Sequence, residues 1–258
     1  MLTIKIQDKN GKTVFVDHGE HEVNLLACRE YLPGDVIVVE IDHPQYVWVK
    51  IDETLEESLL YMKENLYFEI PFGEDKICYC PLSFTGERHL IHARNAMDWE
   101  INSYRNLALN TADTHRDCNC YPHATANVET RGEAVFAARN AIDGMTANSS
   151  HGEWPFGSWG INRDPKAEFK LYFGRKVTTD AIEIFERADF PHDNWWKEIT
   201  IKFSDGEEMI CPLSKTTAGQ LIKFPEKETE WLILYNLIKS NEPSPFPALT
   251  QIKVFGRG

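Results

Sequence analysis

Val36-Ile37-Val38-Val39-Glu40-Ile41 is followed by Asp42-His43-Pro44-Gln45 and then by Tyr46-Val47-Trp48-Val49-Lys50-Ile51. Runs of β-branched and aromatic side chains suit a pleated, half-buried surface, and the proline-containing spacer between them reads as a turn. The same signals continue on both sides. Met1 to Ile6 alternates apolar and polar residues; Phe68-Glu69-Ile70, Lys76-Ile77-Cys78-Tyr79-Cys80 and His89-Leu90-Ile91-His92-Ala93 read as further strands. Glu53 to Asn65 differs: Leu55, Leu59, Leu60 and Met62 recur at roughly helical spacing and predict one short helix or a few turns.

Near residue 102 the pattern resets. A second set of short strands is predicted over 166–173, 180–185, 198–203, 221–224, 231–235 and 251–255. Turn signals such as Gly174-Arg175 and Ser204-Asp205-Gly206 separate several of them. Many short strands without regular intervening helices predict β-sandwiches rather than βαβ units. The expected organisation is an all-β chain of two β-sandwich domains: residues 1–102, whose sequence assigns no role, and residues 103–258. No internal repeat or low-complexity segment interrupts this plan.

The 258 residues are 42% hydrophobic, enough to bury a sizeable core and too apolar for a disordered chain. Net charge is −13; residues 1–102 hold 9 Lys and Arg against 19 Asp and Glu, and the remainder hold 18 against 21. A binder of nucleic-acid backbones needs the opposite balance, so nucleic acid is not an expected partner. No apolar run reaches the roughly 18 to 20 residues of a membrane helix, so no membrane insertion is expected. The first residues lack the basic segment and apolar run of a secretory signal, which makes a cytoplasmic location the expectation. The six cysteines include two C-x-C pairs and no small-scaffold framework, as free thiols in a reducing compartment would.

The second half also carries an ordered series of short motifs. Arg105-Asn106-Leu107-Ala108-Leu109-Asn110 comes first, then Ala138-Arg139-Asn140-Ala141-Ile142-Asp143-Gly144 and Trp159. Phe169-Lys170-Leu171-Tyr172-Phe173-Gly174 follows, then Ile182-Glu183-Ile184 leading to Arg187. Phe203-Ser204-Asp205-Gly206 and a closing Leu249-Thr250-Gln251-Ile252-Lys253-Val254-Phe255-Gly256 complete it. This order resembles the discoidin, or coagulation factor 5/8 C-type, family, and within it the galactose-binding-like carbohydrate-binding modules. The resemblance covers residues 105–256. It implies an antiparallel jelly roll whose ligand loops cluster at one end, and binding rather than catalysis; the ligand does not come with the fold.

Three loops carry the chemistry. Arg187-Ala188-Asp189-Phe190-Pro191-His192-Asp193-Asn194-Trp195-Trp196 lies between two predicted strands, where the family's sugar loops lie. Sugar recognition needs a flat apolar surface for the C–H face of a pyranose and rigid polar groups for its hydroxyls. Trp195 or Trp196 offers the first, and Arg187, His192 and Asp193 the second. Neighbours in an extended segment face opposite ways, so one of the two tryptophans is expected in the core. His151-Gly152-Glu153-Trp154-Pro155 adds Trp154 as a stacking platform, with His151 and Glu153 as polar partners. Trp159 matches the family's structural tryptophan. The third loop, His115 to His123, has the form H-x2-C-x-C-x2-H; its C-x-C is tighter than a zinc knuckle and no second pair is near, so zinc is not expected.

The resemblance implies one candidate cofactor, a structural Ca²⁺ held by Asp143, with Thr146 supplying a hydroxyl. Gln251 stands where the family places a Glu, which weakens a hard-cation site. No nucleophile elbow, P-loop or Rossmann pattern occurs. The expected function is non-catalytic glycan binding through an aromatic loop cleft. A hydrolase or lyase using Glu153 with Asp193, or His192, in the same cleft is one alternative. A protein-interaction module with the aromatics as anchors is the other.

Overall fold

In the first segment Leu2, Ile4 and Ile6 are buried while Thr3, Lys5 and Gln7 are half-buried, the two-residue period of a strand with one face on a core. The computed structural model in which this is seen describes residues 1–115 and 118–258. It is nearly all β, with 46% of it in strands and 7% helical, which excludes an alternating α/β plan.

The first half contains β1 (Leu2–Gln7), β2 (Thr13–Gly19), β3 (Glu22–Ala27), β4 (Val36–Ile41), β5 (Gln45–Lys50), β6 (Ser58–Met62), β7 (Leu66–Glu69) and β8 (His89–Asn95). They pair antiparallel in two sheets. One has the order β2-β1-β4-β7; the other runs β6-β5-β8-β3. Leu2, Ile4, Ile37 and Val39 from the first sheet meet Val47, Val49, Leu60 and Ile91 from the second in one core. Apolar alternation on both sheets forces this: each has one face that only the other can cover.

The second half contains β9 (Arg105–Asn106), β10 (Cys120–Tyr121), β11 (His123–Ala126), β12 (Trp159–Gly160), β13 (Phe169–Glu186), β14 (Trp196–Phe203), β15 (Glu208–Pro212), β16 (Gln220–Lys239) and β17 (Ala248–Arg257). The main sheet has the order β12-β17-β13-β16-β14-β15, with β11 added on β13 and β9 on β17. Phe169, Leu171, Ile182 and Ile184 of β13 share one core with Ile199 and Ile201 of β14 and Leu232 and Leu234 of β16, so the sheet wraps around its own apolar face. This is an antiparallel β-sandwich.

Four sequence expectations give way. The predicted helix over 53–65 is a turn followed by β6; Leu59 and Leu60 are both buried, and pairing with β5 on one edge and Cys120–Tyr121 on the other overrides the spacing. Asp52 closes that turn, its carboxylate accepting the N–H of Thr54 at 2.9 Å and of Phe84 at 2.7 Å. The predicted strand over 76–80 is instead a 3₁₀ turn at Gly73–Lys76 and a loop that buries Cys78 and Tyr79 side-on against the first core. Gly174 does not turn the chain back: β13 runs through it with an irregularity between Tyr172 and Val177, and the two predicted strands are one. Likewise 221–224 and 231–235 both belong to β16.

The two halves are stitched together. β10 pairs with β6 as the last strand of the first half's sheet, and Ala112, Cys120, Val135, Phe136 and Phe156 lie in the first core. Thr111 donates its hydroxyl to the Glu56 carbonyl at 2.9 Å, and its N–H to the Ser58 hydroxyl at 3.0 Å. No helix among the described residues is long and apolar enough to cross a membrane.

Candidate functional site: an arginine- and histidine-lined cleft

At one end of the second core the chain leaves β13 at Glu186 and re-enters the sheet at Trp196. Beside this loop lie the segment after β12 and the one before β17. Between them is a cleft of about 450 Å³, whose lining includes Arg131, His151, Arg163, Arg187, His192 and Phe246.

Arg187 forms the inner wall. Its backbone N–H is tied to the Ala248 carbonyl at 2.9 Å, and its side chain is 3% exposed. A buried guanidinium must be matched by acceptors, and it is. Nε reaches Asp193 Oδ2 at 3.1 Å, Nη2 reaches Oδ1 at 3.3 Å, and Nη1 donates to the Phe156 carbonyl at 3.2 Å. The Asp193 carboxylate is fully buried and also accepts the N–H of Asp189 at 3.1 Å. Asp193 therefore orients Arg187 from behind and presents nothing to the cleft, contrary to its expected role as a direct sugar contact.

The two histidines form the rim. His192 Nδ1 donates to Asp193 Oδ1 at 3.0 Å, which leaves Nε2 as the ring's second polar atom. His151 Nδ1 faces Arg187 Nη2, a donor, so the ring must accept there and carries its proton on Nε2. Burial, followed by the neighbouring Arg187 and His192, lowers the His151 pKa and keeps it neutral. The two rings lie 4.2 Å apart between centroids. His192 also stacks nearly parallel on Phe246, at 5.6 Å and 11°. Phe246, 39% exposed, sits in Pro243-Ser244-Pro245-Phe246-Pro247, where prolines hold the ring in place.

The tryptophans go elsewhere. Trp196 is 1% exposed and lies 6.4 Å from the buried Trp159 ring, so it is a core residue and cannot stack on a ligand. Its backbone N–H is held by the Glu186 carboxylate. Trp195 is half-buried on the opposite side of the strand, donating Nε1–H to Glu242 at 3.1 Å, and does not line the cleft. Trp154 and Glu153 line a different groove, beside Lys76, Tyr79 and Pro81 of the first half. Of the expected ligand residues, Arg187, His151 and His192 are thus gathered in one cleft. Sequence reasoning missed Phe246, Arg163 and Arg131. The signal for Phe246 was an aromatic residue fenced by three prolines; the two arginines carried none.

Asp143 is half-buried, its Oδ1 accepts the Met145 N–H at 2.8 Å, and desolvation pushes its carboxyl up to about 7. Gln251 is fully buried in β17, and its Oε1 has no hydrogen-bond partner among the described residues, as an oxygen meant for a cation would. Thr146 is half-buried in the same loop as Asp143. The cysteines of the H-x2-C-x-C-x2-H segment diverge, and Arg116 and Asp117 within it lie outside the described residues. Cys120 faces the Glu64 carbonyl, whereas Cys118 and His123 converge with Asp113, their ligating atoms within 4.8 Å of one another. Burial works against the His123 cation, but the Asp113 carboxylate at 2.6 Å raises its pKa to about 10 overall.

No protein-family model matches the sequence, and no curated protein matches it. Among solved structures, the chain is similar to chitosan-binding module 1 of a chitosanase/glucanase from Paenibacillus sp. IK-5, with 19% identity, 58% of this chain and 98% of that chain covered, and a TM-score of 0.39. It is similar to the family 32 carbohydrate-binding module of C. perfringens NanJ in complex with galactose, at 17% identity, covering 51% of this chain and 91% of that one, with a TM-score of 0.40. A Streptococcus pneumoniae fucose-binding module matches at 14% identity over 59% of this chain and 98% of its own, with a TM-score of 0.41.

Proposed function

We propose that the second half binds carbohydrate non-covalently in the cleft bounded by Arg187, His151, His192 and Phe246. The observation that carries this reading is the near-parallel Phe246 and His192 pair at the cleft rim beside a guanidinium locked by Asp193. The exposed Phe246 ring is an apolar surface for a pyranose, and the Nε2 atoms of His151 and His192, whose Nδ1 atoms are held by Arg187 and Asp193, are polar atoms for its hydroxyls set with little ordering cost. The hydrolase alternative needs two carboxylates flanking one bond. Asp193 is sealed behind Arg187, and Glu153 lies in another groove, which favours binding. Asp143, Thr146 and Gln251 are the residues that would hold a structural Ca²⁺, and none of them lines the cleft.

A glycan array with the full chain, followed by calorimetric titration of any hit against wild type and His192→Ala, tests the reading. A saccharide hit that weakens markedly in His192→Ala, with an unchanged melt, supports it. An array with no hit rejects it, and hydrolysis of a hit revives the enzyme alternative.

A further inference from the structure

Among the described residues, the cleft lining holds three arginines and two histidines and no Asp or Glu, in a chain of net charge −13. The three guanidiniums are not equivalent. Arg187 is neutralised by Asp193 behind it. Arg131 reaches Glu133 at 2.7 Å, an exposed pair that solvent screens. Arg163 has no ion-pair partner among the described residues. Its own neighbour Asp164 instead accepts the Lys166 N–H at 2.8 Å. Asp189 is half-buried beside His151 and His192 and is not part of the lining.

The backbone places Arg163 with care. Asn162 and Arg163 both have positive φ, 49° and 60°, a conformation uncommon for side chains larger than glycine. The Asn162 N–H is anchored on the Thr130 hydroxyl at 2.9 Å. This bend brings the Arg163 guanidinium to 4.7 Å from the centroid of the Phe246 ring, the same ring that offers the apolar platform. Two consecutive left-handed residues fix the direction in which the Arg163 side chain leaves the backbone.

We propose that the ligand of this cleft is an anionic saccharide, whose ring packs against the exposed part of Phe246 and whose carboxylate or sulfate ester docks at Arg163. This rests on the carbohydrate-binding reading above. A guanidinium offers only donors, and an anionic oxygen pair is the acceptor it matches best, in two parallel hydrogen bonds. A neutral sugar leaves the exposed Arg163 to water, whereas an anionic group gains a paired contact there. A carboxylate or sulfate on a sugar packed against the exposed part of Phe246 lies within the reach of Arg163, whose guanidinium is 4.7 Å from the ring centroid.

Calorimetric titration of the full chain separates the possibilities. The probes are an oligogalacturonide and its methyl-esterified form, and a sulfated galactan oligosaccharide and its desulfated form, each at low and high NaCl. The expected result is that an acidic probe binds about tenfold or more tighter than its neutral counterpart at low salt, with the gap shrinking as salt screens the contact. The pair showing the gap identifies carboxylate or sulfate. R163Q should reduce the gap to less than about twofold, R163K should restore part of it, and F246A should weaken both probes of a pair. Equal binding of acidic and neutral probes overturns the anionic ligand and leaves carbohydrate binding standing. A gap that survives in R163Q overturns the assignment to Arg163. Failure of all four probes and of a glycan array overturns the proposal together with the reading on which it rests.

Discussion

Phe246 and Trp196 look interchangeable as aromatic sugar platforms, and their surroundings make them opposites. Phe246 is 39% exposed at the cleft edge, while Trp196 is 1% exposed against Trp159. Phe246→Ala should therefore abolish or severely weaken saccharide binding with an almost unchanged melt, since a stacked ring contributes about 0.5–1.5 kcal/mol beyond its buried area. Trp196→Ala should cost about 3–5 kcal/mol of stability through the cavity it leaves. Trp195→Ala should do neither, because that ring contacts Glu242 away from the cleft. Titrations run beside thermal melts distinguish the three; normal binding by Phe246→Ala would remove the platform from the proposed site. All three aromatics were visible in the sequence. Which of them faces solvent was not, because alternation assigns opposite faces without saying which face is covered.

At the scale of elements, β13 carries two devices that only its neighbours explain. Glu186 ends the strand in the interior, 2% exposed, with its carboxylate accepting the Trp196 N–H and the Gln220 amide at 3.2 Å. Burial raises its pKa from 4.5 to about 8 against the opposing hydrogen bonds. A carboxyl with a raised folded pKa keeps its proton when the unfolded chain has lost it. Its contribution is therefore most favourable below about pH 4.5 and declines as pH rises toward about 8, with a slope of at most about 1.4 kcal/mol per pH unit. Glu186→Gln should flatten this decline and raise stability at pH 8 relative to wild type; parallel pH–stability curves for both proteins would refute it. The second device is Gly174, at φ 68° within the strand. An added Cβ there would meet the Tyr121 ring at 2.1 Å. Tyr121 belongs to β10, so the glycine lets β13 approach the strand that joins the first half's sheet. Gly174→Ala should destabilise by at least about 1–3 kcal/mol, from the positive φ and the overlap together. A denaturation midpoint equal to wild type would show that Tyr121 moves aside freely.

For the whole molecule, the two cores are not independent. Side chains of the second half, Phe136 and Phe156 among them, complete the first core, and Phe136 also lines the cleft. The Arg187 guanidinium lies 5.6 Å from the Phe136 ring, so packing of the first half bears on the position of the inner wall. Calcium acts at the same scale. An ion held by Asp143, Thr146 and Gln251 would bind only the folded chain and stabilise it by mass action. With one carboxylate in the set, the expected affinity is weak: the melting temperature should rise in millimolar calcium and fall with EDTA. Gln251→Glu should enlarge the response and Asp143→Asn should remove it. A melt unaffected by calcium and EDTA, with no calcium by elemental analysis, would leave Asp143 as a turn residue.

What the sequence determined by itself was local in origin. The all-β class followed from β-branched runs such as Val36–Ile41, whose preference for a pleated surface needs no distant partner. The loop carrying Arg187 and His192 was legible as a dense cluster of polar and aromatic residues between two strands, and Ser204-Asp205-Gly206 as the turn between β14 and β15. What only the tertiary structure decided depends on residues far apart in the chain. The strand at Ser58–Met62 exists because β5 and β10 pair with it, against a spacing that suggested a helix. Asp193 became a support rather than a contact because Arg187 folds over it. Phe246 and Arg163, 83 positions apart, form one surface because the loops before β17 and after β12 meet at the same end of the sheet. Propensity and periodicity act over a few residues, whereas burial and charge matching act across the fold, and the cleft is built from the second kind.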